Sequence, residues 1–137
     1  MSPPPLDLDA LRRWPDVEAP GLVAVDAADR LMLDESSEHR ASAAPGTVVV
    51  IGDGYGALTL GAAAEGATGI RTHVDPLNGE RALEANAERA GLGAAFEVHR
   101  LEPALVRGAR VVLLRLPGRW RRCATWRASS RRTRIPR

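Results

Sequence analysis

An α/β fold, a parallel sheet with flanking helices truncated after about four strands, follows from three features of the 137-residue sequence. Thr47–Ile51 carries valine and isoleucine on both faces, as fully buried parallel strands do. It empties into Gly52-Asp53-Gly54-Tyr55-Gly56, and a helical pattern starts at once at Ala57. Strand-like and helical stretches then alternate as far as Leu116. Together these describe a Rossmann-like sheet.

Each element has a local reason. Residues 1–23 are rich in proline and acid and read as an arm, with a short apolar pattern at Leu6, Leu8, Leu11 and Trp14. From Ala24 to about Arg40 the pattern favours a helix with Val25, Ala28, Leu31 and Leu33 on its apolar face and Asp26 as its cap. Pro45-Gly46 closes the linker that follows. After the first strand, Ala57–Glu65 is a helix of small residues suited to close packing. Gly69–Val74 is a second strand. Asn78–Ala90 is a helix with Leu83, Ala87 and Ala90 inward, and Gly91 is placed to end it. Ala94–His99 and Val111–Leu116 supply the third and fourth strands. One domain, residues 24–118, contains all of them.

Charge divides the chain at Pro117-Gly118. Residues 1–118 hold eleven arginines against seventeen acids, a net of −6, whereas 119–137 hold eight arginines and no acid. Every basic residue is arginine, a bias expected of a GC-rich gene. The last stretch has neither helical nor strand periodicity and is expected to be a disordered tail. Its arginines, interleaved with Trp120 and Trp126, suit phosphates and bases; the same composition arises when a GC-rich gene is read out of frame. No run reaches the ~18 apolar residues that a membrane span needs, and no signal peptide is evident. Cys123 stands alone, and His39, His73 and His99 lack metal-ligand spacing. A cytoplasmic protein with no membrane partner and no metal is expected.

The chemistry is concentrated in the glycine turn. Gly52, Gly54 and Gly56 give a backbone that a ligand can approach closely, ahead of a helix N-terminus with unpaired N–H groups. Gly52-x-Gly54-x-Gly56 fits an S-adenosylmethionine turn, and Gly52-x-Gly54-x-x-Ala57 fits a dinucleotide turn for NAD. Asp75, ending the second strand, is placed to accept hydrogen bonds from two ribose hydroxyls in either cofactor; it could equally open a turn with Pro76.

The segment from Asp75-Pro76 through Arg81-Ala-Leu-Glu-Ala-Asn86 to Gly91-Leu92 resembles class I S-adenosylmethionine-dependent methyltransferases. Three further segments resemble, more narrowly, the N-terminal domain of the ribosomal RNA guanine-N2 methyltransferases: Ala28–Leu33, Gly54–Leu58 and Val111–Pro117. That family joins two methyltransferase-like domains, a catalytic C-terminal one and a degenerate N-terminal one that supports folding and RNA binding. The resemblance implies cofactor contacts at Gly52, Gly54, Gly56 and Asp75, and as partners ribosomal RNA and a catalytic methyltransferase domain or a second copy of the chain. Two departures imply that the copy is catalytically incomplete. Val50 stands where active members carry an acid, and Arg115-Leu116-Pro117-Gly118 replaces the Asn-Pro-Pro-Tyr type of turn that holds a target amine. Weak or absent cofactor binding, and no catalytic residue, is the expectation. A non-catalytic RNA-binding scaffold and a small NAD-type module are the alternatives.

Overall fold

The computed structural model describes residues 6–74 and 77–116, with Leu77 and Asn78 placed by backbone alone; residues 1–5, Asp75, Pro76 and 117–137 lie outside it. Strands β1 (Val48–Ile51), β2 (Ile70–His73), β3 (Phe96–Val98) and β4 (Val111–Leu114) form one all-parallel sheet in the order β3-β2-β1-β4. Helices α1 (Ala27–Ala41), α2 (Ala57–Ala64) and α3 (Leu77–Ala90) accompany it, with 3₁₀ turns at Leu8–Ala10 and Pro103–Val106. This is the α/β arrangement expected from the sequence. The chain leaves β1 to one side for β2 and β3, then returns to β1's other side as β4, which opens a crevice at the strands' C-terminal ends.

Register assigns every strand residue to a face. Val50, Thr72 and Leu113 are level, as are Ile70 and Phe96, and all share the face on which the helices lie. There Val48, Val50, Ile70 and Leu113 pack with Leu33 of α1 and with Leu58 and Ala62 of α2. Beside them Leu83 and Ala87 of α3 pack with Ala57, Leu60 and Val74. A buried bond of 3.1 Å between the Thr59 and Thr72 hydroxyls ties α2 to β2. The opposite face carries Val49, Arg71, His73, Val112 and Leu114. Over part of it runs the β3–β4 crossover. Arg71 donates to the carbonyls of Arg107 (2.6 Å) and Gly46 (3.1 Å), and the His73 Nδ1 lies 3.0 Å from the His99 carbonyl.

Two helical faces differ from expectation. On α1 the inward line is Asp29, Leu33, Ser36 and Arg40, while Leu31 is 59 % exposed. Polar residues can line this face because each is satisfied. Arg40 donates to the Ser36 hydroxyl (2.9 Å) and the Leu33 carbonyl (2.7 Å) and pairs with Glu65 at 2.7 Å. On α3 Asn86 replaces Ala90 as an inward residue. It follows Leu83 by three and so shares the buried stripe.

Among the described residues no helix is long and apolar enough to cross a membrane, and no cluster of metal-ligating side chains occurs.

α1 and α2 meet where Leu33 lies on Gly61. A Cβ on Gly61 would come within 2.6 Å of Leu33 Cδ1 and 3.0 Å of Cδ2. Gly61→Ala is therefore expected to lower stability by about 1–3 kcal/mol through overpacking, despite the ~1 kcal/mol that alanine contributes to helix propensity. Urea unfolding measures this, and a more stable variant would contradict the packing.

Candidate functional site

The glycine turn lies at the C-terminal end of β1, in the crevice between β2 and β4. Gly52 adopts φ +80°, and a Cβ there would collide with the carbonyl oxygen of Arg115. Glycine is required at this point because β4 passes so close, its Arg115 N–H donating to the Ile51 carbonyl at 2.9 Å. Gly56, at φ +101°, begins α2 and packs under Leu83 and Leu60. Of the three glycines, Gly52 and Gly54 line the crevice and Gly56 faces the core. Asp75 lies outside the described residues. Val50 is fully buried on the helix-covered face, without a polar atom to offer a ligand.

Three residues dominate the site through contacts that the sequence did not reveal. The first is Asp53. Its side chain turns into the protein and accepts hydrogen bonds from the backbone N–H groups of Leu58 (3.3 Å) and Thr59 (2.9 Å) at the start of α2. The helix end that would attract a ligand's anion is filled by the chain's own carboxylate. Burial pushes the Asp53 carboxyl above the usual carboxylate range, and the bonds from Thr59 and Leu58 only partly offset it. No motif marks an acid buried between two glycines.

The second is Arg115, which follows β4. Its guanidinium donates to Asp29 Oδ1 at 2.7 Å and to Asp26 Oδ2. These two acids form the capping box of α1, each side chain accepting from the other's backbone N–H at 3.0 Å. Arg115 thus spans from β4 to α1, and a Cβ on Gly54 would lie 3.7 Å from its Nη1. The two carboxyls respond in opposite directions. Burial pushes Asp29 up, more than the Asp26 N–H and Arg115 pull it down. For Asp26 burial is outweighed by the Asp29 N–H and Arg115, and its carboxyl lies below the usual range.

The third is Asn86. Buried in α3, it accepts from the Arg12 N–H (3.0 Å) and donates to the carbonyls of Arg12 (2.9 Å) and Tyr55 (2.8 Å). This fastens the N-terminal segment across the glycine turn. Arg13 lies over the Tyr55 ring at 4.8 Å, and the Tyr55 hydroxyl donates to Asp16 at 2.6 Å. That bond holds the Asp16 carboxyl below its ordinary value, whereas burial, then the same bond, raises the Tyr55 phenol. The stretch expected to be an arm is in fact packed at Leu11, which is buried among Leu60, Leu83 and Ala87. What remains open is a cleft of about 430 Å³ walled by Arg13, Asp16, Tyr55, Gly79 and Arg115.

This cleft lies at the C-terminal ends of the strands, where α/β sheets hold their ligands. Beside Gly54 stands a cation already paired with two acids, and the carboxylates that line the cleft, Asp16 and Asp26, are engaged by Tyr55 and Arg115.

Removing Arg115 would strand Asp29 as a buried, uncompensated charge. Arg115→Ala is expected to cost about 2–3 kcal/mol at neutral pH, below the ~3–5 of a fully buried pair because the Arg115 side chain is 30 % exposed. Without the cation the Asp29 carboxyl rises further, and a raised carboxyl stabilises the fold once protonated. The loss should therefore shrink as pH falls through that raised range toward the usual carboxylate value. Chemical unfolding of both proteins between neutral pH and pH ~4 checks this; a pH-independent difference would refute the role given to Asp29.

No curated protein and no solved structure matches this chain. The family model described as the RLMG N-terminal domain matches residues 5–123, from the packed N-terminal segment to just beyond β4. By that match, the chain belongs to the RLMG N-terminal domain family.

Proposed function

We propose that this domain is the degenerate, methyltransferase-like N-terminal half of a ribosomal RNA guanine-N2 methyltransferase. It transfers no methyl group itself and supports a catalytic domain and its RNA. The observation that carries the reading is the Arg115 clamp. At the end of β4, where an amine-methylating enzyme needs a hydrogen-bond acceptor, the chain has a cation turned back to bind Asp26 and Asp29. Its chemistry is spent on joining β4 to α1. Val50 supports the same reading, since a buried valine cannot orient the methionine end of S-adenosylmethionine.

The NAD-type alternative meets a separate obstacle. A pyrophosphate would require the N–H groups of Leu58 and Thr59, and the buried Asp53 carboxyl group already takes them. Binding would have to displace that side chain.

Calorimetric titration of the full chain with S-adenosylmethionine and, separately, NAD tests both readings. Neither should give saturable heat up to about 1 mM, the limit of roughly 4 kcal/mol of binding. Saturable micromolar binding of S-adenosylmethionine would overturn the degenerate reading, and of NAD would restore the dinucleotide one. Binding to ribosomal RNA fragments should persist when residues 119–137 are deleted; RNA binding lost with them belongs to the tail's arginines alone.

A further inference from the structure

Residues 13–23 differ from both of their flanks. Leu11 is buried in the core before them, and Ala24 and Val25 are buried after them. Between these anchors no side chain is buried, and Trp14 and Val17 are 59 and 66 % exposed. Within the loop, Arg13 donates to the Val17 carbonyl at 2.7 Å, and Glu18 accepts from the N–H groups of Arg13 and Trp14 at 3.2 and 3.3 Å. These bonds give the loop a shape of its own. A cavity of about 180 Å³ lies between its two limbs, lined wholly by residues 8–25.

The loop's hold on the rest of the molecule is narrow. Among the described residues one hydrogen bond leaves it, from the Tyr55 hydroxyl to Asp16, and Arg13 stacks on the same ring. Among those residues no ion pair leaves it. Just ahead, Arg12 is held at both backbone groups by Asn86. A segment with no buried side chain belongs to the low end of local stability, whereas its flanks share the stability of the core. The two contacts with Tyr55 favour the closed position by about a hundred-fold, little beside the stability of a whole domain. Yet Arg13, Asp16, Leu22 and Val23 form one wall of the cleft that holds Gly52, Gly54 and Arg115.

We propose that residues 13–23 are a lid on the crevice, hinged at Arg12 and Ala24 and latched by Tyr55, which opens while the sheet and helices stay folded. Opening uncovers Gly52 and Gly54, so a molecule larger than the cleft reaches the glycine turn only past this loop. The lid stands whether or not a cofactor binds beneath it.

The test labels a thiol placed inside the crevice of the full chain. Gly54→Cys has room, since a Cβ there meets Arg115 Nη1 at 3.7 Å, and Cys123→Ser leaves that thiol the only one. A maleimide fixed directly to a globular carrier too large for the cleft reacts in the open form. Tyr55→Phe keeps the ring under Arg13 and removes the hydroxyl, while Asp16→Ala removes its acceptor. Each should speed labelling about ten-fold, and Asp16→Asn should do so less because its amide oxygen still accepts. In the double variant Tyr55→Phe with Asp16→Ala the two effects should not multiply, since both break one bond. Amide exchange at Arg12 and in β1 should be the same in every variant. A labelling rate unchanged by Tyr55→Phe would overturn the proposal. Exchange accelerated equally at Arg12 or in β1 would overturn it too, because the whole segment or the whole fold would then be opening.

Discussion

Asp29 is a carboxylate with no access to water, and the rest of the crevice is arranged around that fact. A buried charge must be paired or neutralised, and Arg115 is the cation within reach. To reach it, β4 must end beside Gly52, which excludes any side chain at that glycine. The same guanidinium also binds Asp26, so the start of α1 is held at both members of its capping box. One buried acid thereby fixes the meeting point of the first helix, the first strand and the last described strand. The far end of α1 repeats the device with opposite sign, through buried Arg40 and Glu65.

This arrangement separates the glycine turn's two roles. The turn is a backbone solution for leading a buried strand into a helix, and it is also a cradle for a ligand. Gly56 serves the first role entirely, beneath Leu83 and Leu60. Gly79 serves it from α3, where a Cβ would stand 2.7 Å from the Gly54 carbonyl. Asp53 closes the ligand-facing helix end from inside. Packing alone therefore gives two of these glycines a reason to persist, whatever the crevice holds.

The fold was legible because its signals are additive. Four strands and three helices follow from repeated apolar spacing, and Asp26 and Gly91 mark helix ends by ordinary cap chemistry. The site was legible only in part. The glycines announce a turn, but Asp53, Asn86 and the reach of Arg115 depend on partners far away in the sequence, which no local window contains. Asn86 was partly visible, since its spacing from Leu83 places it on the buried stripe. Leu31 misled for the opposite reason. An apolar residue suggested an inward face, while α1 buries acid, serine and arginine instead. Polar burial is invisible until its partners are known.

The clasp between Asn86 and Arg12 joins residues 74 positions apart. A ribosome releases Arg12 long before it has made α3, so the N-terminal segment emerges without its anchor. The sheet's central pair, β1 and β2, can form in that interval; the segment's closure over Tyr55 cannot. Docking of the first residues is therefore a late event in the biogenesis of this domain. Until it occurs, the side of the core formed by Leu60, Leu83 and Ala87 stays open to chaperones and proteases, and synthesis of α3 marks the earliest moment at which that exposure can end.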